Sequence, residues 1–444
     1  MILRASIRPV VCFAFLLSTL PLLLNAQDSA SPQSSRDADL QLVVMLSRHG
    51  VRSPLTKPGQ LDQYSVAPWP TWDVAPGLQT PHGNQLIRIF GAWDRTRFSQ
   101  DGLLAPTGCA EAEHVTIIAD TDQRTRETGK ALAEGMLPGC AVAVHSLPDG
   151  APDPLFRPIV AGVIHPDPAL DAAAVSGRIG GDPNNLTEVY RPQLAALDRV
   201  LAGCGRVPAN PKRISIFDTP ASLKPGSGDP PISARGPVFT AATMAENLLL
   251  EYTQGMSDAD TGWGCLDGAT LRYIMQIDGA HWDYGSRTPA LARMNASNLL
   301  DHIQKTLEQG VTGKPVPGAV GHPGDRLVIL VGHDSNIAAV AGALGMDWAL
   351  DGRVDDTPPG GALLFELWRS RASGEHFVRV DYTAQTLEQM RKAEPLTPAN
   401  PPTNAPIFVP GCGRADLSCT WQGFSAVLRQ AIEPADVSTQ PYNP

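Results

Sequence analysis

Positive charge is scarce in this chain: its 444 residues hold 35 Lys and Arg against 45 Asp and Glu, a formal charge of −10. No cation surplus is available to displace counterions along a nucleic-acid backbone, so a protein that coats nucleic acid is excluded. Charged residues of both signs reach only 18% and aromatics 6%, but 43% of the chain is hydrophobic. That is enough to fill a core, which excludes wholesale disorder. No collagen-like repeat is present, and seven cysteines are too few for a disulfide-dense miniature scaffold. The length suits two domains, or one large domain with an insertion.

Long apolar runs are lacking too, with one exception. Val10 to Leu24 is almost wholly apolar, follows Arg4 and Arg8, and ends at Leu24-Asn25-Ala26, a small-residue cleavage pattern. Residues 1–26 read as a signal peptide, and the mature chain is expected to begin at Gln27. The alternative is an uncleaved anchor, for which the run is short. Export places the protein in the periplasm or outside the cell. Removing the segment takes Cys12 with it and leaves Cys109, Cys140, Cys204, Cys265, Cys412 and Cys419. An even number in an exported chain suggests bridges, although six cysteines allow 15 pairings. Cys412 and Cys419 are placed to staple a C-terminal loop. Buried free thiols and zinc ligation are the alternatives, and zinc is disfavoured because no C-x2-C spacing or neighbouring His pair exists.

Residues 27–37 form a polar leader. Then a single design appears three times: a short, β-branched apolar run that stops abruptly at polar residues. Leu40 to Leu46 meets Ser47-Arg48-His49-Gly50, Val115 to Ala119 meets Asp120 to Arg126, and Leu327 to Val331 meets Gly332-His333-Asp334-Ser335-Asn336. Such runs read as strands buried on both faces. Helices are expected over 127–136 and 337–344, the latter with Ser335 and Asn336 as caps, and a further strand over 362–368. Strand, polar turn, helix is the unit of a layered α/β sheet with helices on both faces. Between residues 161 and 317 the pattern changes to helices, over 194–201, 238–254 and 290–307, separated by Pro- and Gly-rich turns. The expected organisation is therefore an α/β domain in two parts, 38–160 and 318–444, with a smaller, mainly helical insertion at 161–317.

In open α/β sheets ligands bind at the carboxyl ends of strands, close to helix N-termini. Three strand ends here deliver Arg48, His49 and Arg52; Arg124; and His333 with Asp334. Guanidinium offers paired donors matched to phosphate oxygens and stays charged at any working pH. A neutral imidazole can attack phosphorus, and a carboxylic acid can supply the proton that the departing alkoxide needs. Three guanidiniums, two imidazoles and one carboxylate point to a site for a tetrahedral, doubly charged oxyanion.

Arg48-His49-Gly50-Val51-Arg52-Ser53-Pro54 resembles the R-H-G-x-R-x-P signature of the histidine acid phosphatases, branch 2 of the histidine phosphatase superfamily. His333-Asp334 resembles their distal H-D pair, and residues 120–129 resemble the segment that holds a further phosphate-binding Arg. The likeness runs from about residue 40 to about residue 433 and is greatest to bacterial periplasmic phytases and their acid phosphatase relatives. It implies that His49 is the nucleophile, that Arg48, Arg52, Arg124 and His333 bind the transferred phosphoryl group, and that Asp334 protonates the leaving oxygen. Lys57, Glu246 and Arg287 are similar to pocket-rim positions that touch a polyphosphorylated ring, whereas Arg126 is set to turn away. The same likeness implies bridges Cys109–Cys140 and Cys412–Cys419, which leaves Cys204 and Cys265 as a third pair.

The function so implied is acid phosphomonoester hydrolysis through a phosphohistidine, with inositol hexakisphosphate as substrate and without metal or cofactor. The partner is then a small phosphate ester, the protein a monomer free of the membrane after signal cleavage. A broad acid phosphatase or a glucose-1-phosphatase is the alternative, since Ser335 stands where phytases usually carry Thr. An inactive phosphate-ester binding protein and a mutase are the others.

Overall fold

A computed structural model describes residues 37–444; the expected signal peptide and the leader as far as residue 36 lie outside the described residues. Strand β1 (Ala38–Arg48) is followed by α1 (Pro81–Gln100), β2 (Val115–Ala119), α2 (Gln123–Met136) and β3 (Val144–His145). The middle of the chain forms α3 (Pro168–Arg178), α4 (Asn184–Val189) and α5 (Arg191–Leu201). A two-stranded ribbon, β4 (Ser222–Pro225) with β5 (Ile232–Arg235), comes next, then α6 (Pro237–Thr253), α7 (Gly268–Gly285) and α8 (Pro289–Thr312). The chain re-enters the sheet through β6 (Leu327–Gly332) and α9 (Asp334–Leu344). A small ribbon, β7 (Ala349–Leu350) with β8 (Arg353–Val354), leads to β9 (Ala362–Ser370), β10 (His376–Ala384), α10 (Leu387–Lys392), β11 (Thr403–Ile407), β12 (Cys419–Thr420) and α11 (Trp421–Ala431).

The main sheet runs β11-β10-β9-β1-β6-β2-β3, with β12 paired to β10. From β1 to β3 neighbours are parallel; β9, β10 and β11 add an antiparallel flank. Burial on both faces explains the unbroken apolar run of β1. Leu42, Val44 and Leu46 enter one core with Ile303 of α8, Val340 of α9 and Phe424 of α11. Val43 and Met45 enter the opposite core with Phe90 of α1 and Leu132 of α2. A third core binds α5, α6 and α7 through Leu197, Leu248 and Ile274, and takes in Leu387 and Met390 of α10. Helix α8 thus covers the sheet, whereas α5, α6 and α7 share the third core.

Helix α1 has no counterpart among the expected elements. Gly83 and Gly91 interrupt its apolar pattern, yet each is where another backbone presses in. A Cβ at Gly83 would lie 2.2 Å from the Val51 carbonyl oxygen, and one at Gly91 2.6 Å from that of Leu132. Two helices also start earlier than expected. α2 begins at Gln123, and α9 begins at Asp334 with His333 as its N-cap, because the Asn336 side chain turns back to accept the His333 N–H at 2.9 Å. Ser335 and Asn336 are therefore inside the helix.

Bridges join Cys109 to Cys140 and Cys412 to Cys419. Cys204 and Cys265 are free thiols, contrary to the expected third bridge. They lie side by side, but the Cys204 thiol is turned to the Arg199 carbonyl at the end of α5, 3.5 Å away. Burial, and then the Cys204 contact, push the Cys265 thiol up to about 12. Among the described residues no helix is long and apolar enough to cross a membrane.

Candidate active site

Parallel register brings the strand ends together. In the β1–β6 ladder Arg48 sits beside Gly332, and in the β2–β6 ladder Ala119 sits beside Val331, so the three polar turns leave the sheet at one level. The His49 N–H bonds the Gly332 carbonyl at 3.0 Å and the Asp120 N–H bonds the Val331 carbonyl at 3.0 Å. These backbone links fix where each side chain starts.

The His49 ring is 2% exposed, and its Nδ1 is 2.9 Å from the Gly50 carbonyl oxygen. A carbonyl can only accept, so Nδ1 carries the proton and the Nε2 lone pair is free. Burial first, then the charges of Arg52, Arg48 and Arg124 and the nearby His333, hold the ring well below its ordinary value. The neutral, nucleophilic form therefore persists below the pH at which a free imidazole charges.

Arg48 and Arg52 are buried, and one Glu246 oxygen accepts from both, 2.7 Å from each Nη2. The same Arg48 nitrogen is 2.7 Å from Asp334 Oδ2, and its other Nη donates to the Thr357 carbonyl at 2.6 Å. Burial alone would raise the Asp334 carboxyl, but Arg48, Arg52 and His333 outweigh it and hold the group below its ordinary value. Arg124, in the first turn of α2, pairs with Asp122 at 2.5 Å. The Nε atoms of all three arginines are buried without a partner among the described residues.

His333 lies against His49, ring centroids 5.6 Å apart, and its Nε2 donates to Asp120 Oδ2 at 2.6 Å. Asp120 is fully buried. Burial raises its carboxyl, but His333, Arg157 (Nε at 2.8 Å) and the Thr121 N–H (2.7 Å) prevail and hold it at about 2. Arg157 also bonds Asp122. Asp120, Asp122 and His333 could converge on a metal ion, but both carboxylates already face guanidiniums, which would repel a cation.

Lys57 is exposed and borders a cavity of about 370 Å³ walled by Trp69 and Trp72. Glu246, expected at the rim, is instead at the centre of the arginine cluster. Arg287 does not reach the site: it is 7% exposed, stacks over Trp348 and pairs with Asp347 and Asp355, which anchor the turn that carries β7 and β8. Arg126 points outward to Asp149 at 2.9 Å. Sequence reasoning passed over Asp120, though it is the first residue after β2 and obeys the rule that found the others. Arg157 gave no local signal, since it meets Asp120 only through the fold.

The chain matches the family model of the Histidine phosphatase superfamily (branch 2) over residues 39–186 and 243–383. The chain is 38% identical over 435 residues to phytase AppA of Escherichia coli strain K12, covering 95% of this chain and 99% of that protein. It is 27% identical to the glucose-1-phosphatase of Providencia rettgeri, covering 92% and 95% respectively. The Hafnia alvei phytase in complex with myo-inositol hexakis sulphate superposes with a TM-score of 0.82 at 35% identity, covering 91% of this chain and 99% of that one. Strand ends, arginine cluster and paired imidazoles thus coincide with a match spanning both halves of the sheet, and the chain belongs to branch 2 of the histidine phosphatase superfamily.

Proposed function

We propose that the protein is an exported phosphomonoesterase that works at acidic pH on inositol hexakisphosphate. The observation that carries this reading is His49: a buried imidazole whose Nδ1 is held by the Gly50 carbonyl, which leaves Nε2 free, and which feels the charges of Arg52, Arg48 and Arg124. Arg48, Arg52 and Arg124 bind the equatorial oxygens, where the transition-state charge is spread. The Nε2 lone pair forms a bond to phosphorus as the ester P–O bond breaks, and the departing oxygen takes the Asp334 proton. Water then attacks the phosphohistidine, gives its proton to Asp334, and frees His49 and inorganic phosphate. His333, held by Asp120, contributes a further donor beside the nucleophile.

In the unliganded enzyme Arg48 Nη2 already lies 2.7 Å from Glu246 and 2.7 Å from Asp334, so its two N–H groups are taken and a phosphoryl oxygen that used this nitrogen would have to displace one of them. Entry of a phosphate dianion there requires Glu246 or Asp334 to leave or to take up a proton, and on Asp334 the proton is the one needed later by the leaving group. Likeness to the E. coli phytase and to a phytase that holds an inositol hexasulphate supports the choice of ring. Lys57 supplies a cation for a further phosphate. The apolar segment before residue 26 and the two disulfides support export to the periplasm or beyond.

A substrate panel with EDTA present tests the reading: inositol hexakisphosphate, glucose 1-phosphate and p-nitrophenyl phosphate between pH 3 and 7. The highest kcat/KM is expected for the inositol ester. A higher value for glucose 1-phosphate would overturn the substrate, and absence of turnover on all three would overturn the enzyme.

A further inference from the structure

Next to Ser335 and Asn336 a cavity of about 720 Å³ opens between the 226–231 loop, α7 and the first turn of α9. Ser335 and Asn336, which directly follow Asp334, form part of its wall. A leaving group must depart toward the group that protonates it, so this cavity is where the alcohol portion of an ester would lie. Its lining is unlike the phosphoryl site. The one cation is Arg157, already paired with Asp120 and Asp122, and the one anion is Asp229. The remaining polar groups are hydroxyls and amides, among them Ser286 and Asn295, with Phe239 and Trp282 as aromatic walls.

His281 stands in this wall, edge-on to Phe239 (6.0 Å between centroids) and to Trp282 (4.9 Å). Neither of its ring nitrogens has a hydrogen bond among the described residues, and Nδ1 is buried. An orphaned buried N–H is rarer than an orphaned acceptor, which places the proton on Nε2 as the donor left for a ligand. Burial, only partly opposed by Asp334 and Glu246, lowers the ring's value and so favours its neutral form. A neutral donor among hydroxyls and aromatic faces suits a ring hydroxyl; a second phosphate dianion would call for unpaired cations.

We propose that His281 is a specificity-determining residue of a leaving-group cavity that receives a cyclic polyol bearing free hydroxyls next to the scissile ester. The inference rests on the phosphomonoesterase reading above. It extends that reading, because each phosphate removed from an inositol polyphosphate exposes a hydroxyl that fits the cavity better than the group it replaced.

The test compares wild type with His281→Ala and His281→Gln on myo-inositol monophosphate, inositol hexakisphosphate and p-nitrophenyl phosphate. A site built to bond a hydroxyl loses discrimination steeply when its partner is removed. The kcat/KM ratio of inositol monophosphate to p-nitrophenyl phosphate should fall at least ~10-fold in His281→Ala, mainly through KM, and recover in His281→Gln, which keeps a donor. The ratio for inositol hexakisphosphate, which has no free hydroxyl, should move less than about threefold. Equal loss on all three esters would mark a structural role, and equal loss on both inositol esters would mean that His281 reads phosphate; either result overturns the proposal. Failure of wild type to hydrolyse any of the three would strike the enzyme reading instead.

Discussion

Replacing Asp334 by Asn should tighten anion binding while slowing turnover, two effects of opposite sign from one substitution. In the unliganded site the Asp334 carboxylate is 2.7 Å from Nη2 of Arg48, one of the guanidiniums proposed to bind the phosphoryl group. A unit charge about 5 Å from a dianion is repelled by roughly 2 kcal/mol in water and about 7 kcal/mol at an effective dielectric of 20. The wild-type enzyme escapes this by taking a proton onto Asp334. Its folded carboxyl lies below the ordinary 3.8, so at pH 5 at most about one molecule in 16 is already protonated. Sulfate, a dianion throughout pH 3–7, isolates the effect. Its Kd for wild type should rise with pH, approaching about tenfold per unit above about pH 5, because there the protonated fraction falls by that factor. For Asp334→Asn the Kd should be flat, and at pH 5 at least ~10-fold lower than that of wild type. Competition by sulfate against p-nitrophenyl phosphate, or calorimetry in buffers of different ionisation enthalpy, reads both quantities. Turnover of an alkyl ester should fall about 10²- to 10⁴-fold, the usual worth of a general acid, and that of p-nitrophenyl phosphate much less. If Asp334→Asn kept the wild-type pH slope, or bound sulfate more weakly, the reasoning from the Arg48 ion pair would be refuted.

His49→Ala should give no acid-labile phosphoenzyme on rapid quench and lose about 10³-fold or more in kcat, since the nucleophile and the covalent route go together. Asp120→Asn should lower kcat/KM about 10- to 100-fold by releasing the His333 ring, as loss of a group that orients a functional imidazole does elsewhere. It should also change acid stability. A carboxyl held at about 2 in the fold and near 3.8 when unfolded contributes stability that is complete above pH 4 and lost as pH falls through 2. Between those limits wild type should lose about 2 kcal/mol in urea titrations that the variant does not. Asp94, fully buried in α1 with both oxygens unpartnered, has the opposite sign: burial pushes it up to about 7 despite Arg97. Its charge costs stability increasingly as pH rises from 3.8 toward 7, so Asp94→Asn should raise Tm at pH 7 and have little effect at pH 4; equal gains at both would count against a buried charge.

Sequence by itself determined the sheet and its chemistry. Strands buried on both faces need continuous apolar runs, and β1, β2 and β6 show them; the polar residues that end each run are the ones the parallel register then sets side by side. Arg48, His49, Arg52, Arg124, His333 and Asp334 were legible for that reason. Of the middle-segment helices α5, α6 and α8 were legible from their periodicity, whereas α3, α4 and α7 were not; α1 was hidden too, because Gly83 and Gly91 break the local pattern for the sake of contacts with Val51 and Leu132. Tertiary structure alone decided which charges meet. Glu246 lies 198 residues beyond Arg48 in the chain, yet reaches its guanidinium. Asp120 settles on His333 and Arg157, and Arg287 is drawn off to Asp347 and Asp355. Local pattern records burial and turn chemistry, which act over a few residues. Ion-pair partners and the wall of a cavity depend on distances set by the whole fold, and so His281, one more residue on an ordinary helix, acquires meaning only beside the emptiness next to Asp334.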